Sequence, residues 1–179
     1  MFEKKKIYIL VKTYPTISHK YAELVCTAGV LENGTWIRLY PMPFRLLADT
    51  QQYPKYTWID VEVERNTSDF RPESYRPNLS SVSVNPKPRS ADWNERRKII
   101  FNNNRIYTNL HELIDEAKSD SKKSLAIFKP TKIIDLKIEE DEREWDSEKL
   151  ECLKNESLQL NLFKTADEVE KEFRVVRKL

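Results

Sequence analysis

Glycine is almost missing from this chain: Gly29 and Gly34 are the only two in 179 residues. A loop that cradles phosphate on consecutive backbone amides needs several glycines, so neither a P-loop nor a dinucleotide fingerprint can be built here. Cysteine and histidine are as scarce, with Cys26, Cys152, His19 and His111 the full complement. None stands at the short spacings by which zinc is held. No eighteen-residue apolar run occurs, so no membrane-spanning helix is expected. The run Ile7–Val11 after Lys4–Lys6 is too short for the core of a signal peptide, and no small-residue cleavage site follows. Without an export signal, a reducing cytosol and two free thiols are the expectation. No cofactor is expected.

What is present is charge and aromatic surface. Charged residues make up 34% of the chain, yet 7 Phe, 8 Tyr and 4 Trp accompany them. Disordered segments lack that aromatic content, because without it they cannot bury enough apolar area to offset the entropy of ordering. A folded domain with a modest core follows. Lys and Arg outnumber Asp and Glu by 17 to 11 over residues 1–110 and are outnumbered 14 to 18 over residues 111–179. The asymmetry points a polyanion toward the N-terminal part.

The pattern predicts an α+β domain. Ile7–Thr13 reads as a strand stopped by Tyr14-Pro15. Leu24–Pro41 reads as a hairpin around Asn33-Gly34, a pair suited to a type I′ turn with positive φ at both positions. Gly29 then marks a bulge or a close backbone approach. Tyr56–Arg65 alternates apolar and acidic residues, as a half-buried antiparallel strand does. Asn66–Pro77 reads as an irregular polar loop and Ser81–Val84 as a short strand. A helix is expected from Asp92 to Asn104, with Ser90 or Asp92 as its N-cap, continuing or restarting to Ala117. Strands follow at Ser124–Phe128 and Thr131–Glu139, a short helix after Asp146, and a last strand at Glu172–Val176. The ending at Leu179 resembles a strand stopped partway into a larger unit, which suggests either a truncated form or a naturally shortened relative of a longer protein. Residues 1–88 are assigned to a β-rich, barrel-like core and residues 89–179 to a helical segment and strands completing the same domain.

Several constellations could carry chemistry. Cys26 with His19 could form a nucleophile–base pair, but a cysteine in an apolar strand usually acts as a small hydrophobe. Asp60, Glu62 and Glu64 share one strand face and could hold magnesium, as in nucleases, or line a solvated outer face. No catalytic set is assigned. The basic and aromatic residues form a fuller pattern. Trp36, Arg38 and Tyr40 share a face of one hairpin strand, and Arg45 follows the bend. Arg71, Tyr75 and Arg76 lie in a proline-braced loop, with Arg65 and Phe70 interleaved. Single-stranded nucleic acid is held this way, with aromatic faces stacking on bases and cations tracking phosphates. The alternatives are a packed Trp/Tyr face with Arg38 tied to a carboxylate such as Glu62, and an arch pinned by Arg pairs with Asp69 or Glu73.

The stretch Cys26-Thr27-Ala28-Gly29, with Gly34-Thr35-Trp36-Ile37-Arg38 and Pro41 after it, resembles bacterial and phage proteins described as dual OB-fold-containing. Leu39-Tyr40 stands where that family's Pro would follow directly. Lys12–Pro15, Pro43–Arg45, Trp58-Ile59 and Arg71–Pro77 resemble the same uncharacterised prokaryotic group. The resemblance implies a small antiparallel OB-like barrel, or a strongly bent sheet, with two or three helices. It also implies a link to mobile elements or defence systems. OB barrels bind oligonucleotides across one face. The expected function is therefore a nucleic-acid-binding module, single strands favoured, with Trp36, Arg38, Tyr40, Arg45, Arg71, Tyr75 and Arg76 as contacts. A protein–protein adaptor or inhibitor using the acidic C-terminal part, and a metal-dependent nuclease, are the alternatives.

Overall fold

A computed structural model describes residues 1–13, 16–18, 22–44, 47–85 and 92–139, together with Glu148 and Glu151. Within it the chain divides into two compact units, residues 1–14 with 25–133, and residues 15–24 with 134–179.

The first unit holds a closed five-stranded barrel. Its strands are β1 (Glu3–Lys12), β4 (Thr27–Leu31), β5 (Trp36–Leu39), β6 (Trp58–Arg65) and β7 (Ser74–Pro77). The numbers β2 (Thr16–Ser18) and β3 (Ala22–Leu24) belong to the second unit, where the two pair antiparallel through Ile17↔Glu23. Around the barrel the order is β1-β4-β5-β7-β6, and β6 returns to β1. Every joint is antiparallel except β5 with β7, which runs parallel through Arg38↔Ser74 and Leu39↔Tyr75. The expected antiparallel barrel is thus corrected to a mixed one. Five strands cannot alternate direction all the way round a closed ring, so one joint must be parallel, and it falls between β5 and β7.

Alternation in the sequence sets the inner wall. Ile7, Ile9, Ile37, Leu39, Ile59, Val61 and Val63 are all at most 1% exposed. Each such side chain contributes roughly 1.5–3 kcal/mol by leaving water. Met42, Leu47, Tyr53 and Val82 complete the core. The ring closes because β1 is long enough to pair on both sides, with β4 from Ile7↔Leu31 to Lys12↔Thr27 and with β6 from Glu3↔Val63 to Tyr8↔Trp58. Its register slips between Ile9 and Val11, a bulge that bends the strand. Gly29 answers the bulge: a Cβ there would lie 2.2 Å from the Tyr8 carbonyl oxygen.

The hairpin turn differs from expectation. Among the described non-glycine residues positive φ occurs only at Tyr56, Asn103 and Lys122, so Asn33 stays on the negative side and Gly34 alone is left-handed, at +85°. Gly34 N–H donates to the Leu31 carbonyl and Leu31 N–H to the Thr35 carbonyl, both at 2.9 Å. This is a three-residue loop with a glycine bulge rather than a type I′ turn. The Asn33 side-chain oxygen accepts from Thr35 N–H at 3.0 Å, which favours the alternative.

Past the barrel, β8 (Ser83–Val84) extends the edge of β6. Helix α1 (Trp93–Ile100) starts at Asp92, whose carboxylate accepts from Asn94 N–H at 2.8 Å. Helix α2 (Leu110–Lys118) starts at Asn109. The helical pattern therefore restarts rather than continues, and Ile106–Tyr107 between them forms β9, parallel to β10 (Ile127–Phe128). Two further expectations are corrected. Ser74–Pro77, read as loop, is the barrel strand β7. Thr131–Glu139, read as strand, pairs with no strand among the described residues, and Ile134, Leu136 and Ile138 are 82–92% exposed. Alternation makes a strand only where a neighbour supplies the ladder. Except for Glu148 and Glu151, which are helical, the short helix after Asp146 lies outside the described residues, as does Glu172–Val176. No helix among the described residues is long and apolar enough to cross a membrane.

Candidate nucleic-acid interface

Strand β5 turns Ile37 and Leu39 inward and Trp36 and Arg38 outward. Arg38 is nevertheless only 8% exposed. Its guanidinium donates to Ser124 Oγ at 2.9 Å, and the Ser124 hydroxyl and N–H both donate to Glu73 Oε1, at 2.5 and 2.9 Å. Arg38 Nε is buried with no partner among the described residues. Residues 38, 73 and 124 are thereby locked together, and the segment after α2 covers the middle of the β5 face. The carboxylate reached is Glu73, through a serine, and not Glu62.

Beyond Leu39 the face continues onto the arch between β6 and β7. Tyr40 N–H donates to the Tyr75 carbonyl at 2.9 Å, so the parallel joint brings residues 40 and 75 side by side. Asn66, 2% exposed, donates to the Tyr40 carbonyl at 3.0 Å and accepts from Ser68 N–H and Arg76 Nε. Arg76 also donates to Ser68 Oγ at 2.7 Å. Arg71 grips Asp69 with Nε at 2.8 and 3.0 Å and Nη2 at 2.6 Å, and its guanidinium carbon lies 5.5 Å from the Tyr40 ring centre. Those hydrogen bonds hold the Asp69 carboxyl well below the usual carboxylate range. Arg65 donates to the carbonyls of Ser74 and Arg71 and lies 5.7 Å from the Tyr75 ring. At the tip Phe70 stands 74% exposed. The arch is rigid from within, and Tyr40, Arg71, Tyr75 and Arg76 gather on it. Trp36 lies toward the other end of β5, and Arg45 is outside the described residues.

At that other end a cavity of about 290 Å³ opens beside the hairpin turn. Trp36, Thr35, Asn104, Arg105, Tyr107 and Lys123 are among its walls. Asn102, Asn103 and Asn104 each donate a side-chain N–H to the turn, to the carbonyls of Glu32, Asn33 and Gly34 at 3.0, 3.0 and 2.9 Å. Asn103 does so at φ 56°, a conformation asparagine tolerates. Opposite, Tyr107 OH donates to Glu116 Oε2 at 2.7 Å, and Lys123 Nζ bonds both groups at 2.5–2.6 Å. Arg105 bridges Glu112 and Glu116 and lies 4.8 Å from the Tyr107 ring. Glu116 is held below its ordinary pKa first by Lys123, and Lys123 is raised first by Glu116. Sequence reasoning missed Arg105, Tyr107 and Lys123. The Asn102–Asn104 run was the available signal, since three adjacent short amides suit a turn that caps another loop.

The other candidates stay apart. Ile59, Val61 and Val63 point inward, so Asp60, Glu62 and Glu64 lie on the outer surface of β6. Glu62 accepts from Asn78 Nδ2 at 3.0 Å, and Glu64 lies 3.8 Å from the terminal amine. Among the described residues no three His, Cys, Asp or Glu side chains gather where a metal could sit. Cys26 is a free, half-buried thiol, and His19 lies outside the described residues.

Comparison with known proteins gives two matches, both without a described activity. A family model described as Domain of unknown function (DUF8758) matches residues 3–102, and one described as Domain of unknown function (DUF8757) matches residues 106–178. No curated protein and no solved structure matches.

Proposed function

The chain belongs to the family described as Domain of unknown function (DUF8758), and we propose that it is a single-stranded nucleic-acid-binding module built on an OB-like barrel. One observation carries the reading: the parallel β5·β7 joint sets Tyr40 beside the arch of Arg71, Tyr75 and Arg76, residues more than thirty positions away in sequence. A strand order of first, second, third, fifth, fourth, closing on the first, agrees with an OB-like barrel. In such barrels the face of the second and third strands, and the loop between the fourth and fifth, are where oligonucleotides lie. Here those are the β4–β5 hairpin and the arch. The neutral groups of Asn66 and Ser68 already orient Arg76 for phosphate, while Arg71, paired with Asp69, stiffens the arch, and ordering cost is what weakens binding by loose loops. Phe70, exposed at the tip, supplies a stacking surface.

Fluorescence polarisation with labelled single- and double-stranded DNA and RNA tests the proposal. Single strands should bind, with the logarithm of affinity falling against that of salt by about 0.7 per phosphate contact. The double variant Phe70→Ala with Arg76→Gln should weaken binding at least about tenfold, from lost stacking and one lost phosphate contact. Absence of binding at low salt would overturn it.

A further inference from the structure

The cavity beside the hairpin turn has walls that are both aromatic and charge-balanced. We infer that it receives one unstacked nucleobase bearing an exocyclic amine, that is adenine, cytosine or guanine; this rests on the nucleic-acid reading of the adjoining arch. Four features carry the inference. Trp36, half-buried on the outer side of β5, offers a ring against which a flat heterocycle can stack. A volume of about 290 Å³ suits a single base with its sugar and does not admit a stacked pair.

The charges decide which part of a nucleotide enters. Arg105 and Lys123 both line the recess, but Glu112 and Glu116 already satisfy them. An entering phosphate would have to displace a carboxylate, whereas a neutral ring enters without disturbing either pair. The phosphates are left to Arg76 on the arch, whose partners Asn66 and Ser68 are neutral.

The hydrogen-bonding groups decide which bases. Asn104 donates its side-chain N–H groups to the carbonyls of Gly34, Ile100 and Asn102, and Asn103 donates one N–H to the carbonyl of Asn33. Carbonyls only accept, so the orientation of both amides is determined. Their side-chain oxygens have no donor among the described residues, and both residues line the cavity. An acceptor edge matches an exocyclic amine and is mismatched to the carbonyl edge of thymine or uracil.

The test uses the full chain and three short DNA homopolymers, of deoxyadenosine, deoxycytidine and thymidine, read by polarisation, with free adenosine and thymidine as a second arm read by tryptophan fluorescence. Deoxyadenosine and deoxycytidine strands should bind at least about fivefold tighter than thymidine strands, the lower end of a stacking and pairing contribution. Ala126→Phe, which fills the cavity from its wall, should erase that preference while thymidine strands bind as before. Trp36→Ala should weaken the deoxyadenosine and deoxycytidine strands more than the thymidine strand, so that the preference falls; if circular dichroism shows it unfolded, Ala126→Phe decides. Equal binding of all three strands, unchanged by Ala126→Phe, overturns the base pocket and leaves the module itself standing. Failure of every strand to bind overturns the module, and the nucleoside arm then judges the pocket alone. Saturable quenching by adenosine but not thymidine, lost in Ala126→Phe, supports a pocket for a free nucleoside. No quenching overturns it.

Discussion

Asp69 and Arg71 are two residues apart and form the tightest pair on the arch. The Asp69 side chain is 7% exposed and that of Arg71 26%, so solvent screens the pair incompletely. An amide at this position keeps one acceptor oxygen but sets an N–H donor where Oδ2 accepts two of the three guanidinium bonds, and it leaves the half-buried cation without its counter-charge. Asp69→Asn should therefore cost about 1–3 kcal/mol near neutral pH. The pH dependence follows from the direction of the shift. Asp69 in the folded chain stays ionised below its unfolded pKa, so the unfolded state binds the proton first as pH falls. The advantage of the native chain is full above about pH 4 and shrinks as pH drops toward the lowered folded value. Urea denaturation of both proteins at about pH 7 and about pH 3 measures this, and the gap should narrow at the lower pH. A gap of constant size would show that packing, not ionisation, sets the loss.

The hairpin is the element on which the site depends. Both of its glycines are required, for different reasons. Gly34 combines a φ of +85° with a backbone oxygen of Asn102 that would sit 1.8 Å from any Cβ. Gly29 has no such φ but faces the Tyr8 carbonyl across the bulge. Gly29→Ala and Gly34→Ala should each destabilise the chain by more than about 2 kcal/mol, against under about 0.5 kcal/mol for exposed Thr35→Ala. Chemical denaturation reads the difference. Gly34→Ala should also shift the side-chain amide signals of Asn102–Asn104 in nuclear magnetic resonance spectra, because their acceptors are the carbonyls of the displaced turn. Unchanged amide signals would mean that the Asn run is held by its own turn and not by the hairpin.

For the whole molecule, burial divides the chain unevenly. Barrel strands carry nearly every residue at most 1% exposed, while Thr131–Glu139 is exposed along its full length. Limited trypsin digestion should cut after Lys132 and Lys137 well before the barrel sites at Lys4–Lys12 and Arg65, since cleavage requires an extended, unprotected backbone. Lys129 precedes Pro130 and resists. Mass spectrometry of the early products checks the order, and first cuts inside β1 or β6 would contradict the closed barrel.

Periodicity alone separated the two faces of β5 and β6, because a two-residue alternation has only one way to face a core; β1, a continuous apolar run in which Tyr8 is buried along with Ile7 and Ile9, offered no such alternation. A helix cap at Asp92 and a turn at Asn33-Gly34 were legible because local backbone geometry dictates them, whereas Gly29 stood out only by its rarity, since what excludes a side chain there is the Tyr8 carbonyl of another strand. The strand Ser74–Pro77 was not legible. It is short, polar and ends in proline, and it becomes a strand only because β5 and β6 leave a gap that it closes. The turn type followed the loop length that the β4–β5 pairing imposed rather than the dipeptide. The hairpin-tip cavity was equally hidden, since it joins residues about seventy apart through side-chain amides. Arg38 is the clearest case. Its spacing placed it on the outer face of β5, and the spacing was right, but Ser124, 86 residues later, decides whether that face is open. Alternation within a strand assigns a side; what later folds over that side depends on contacts no local pattern encodes.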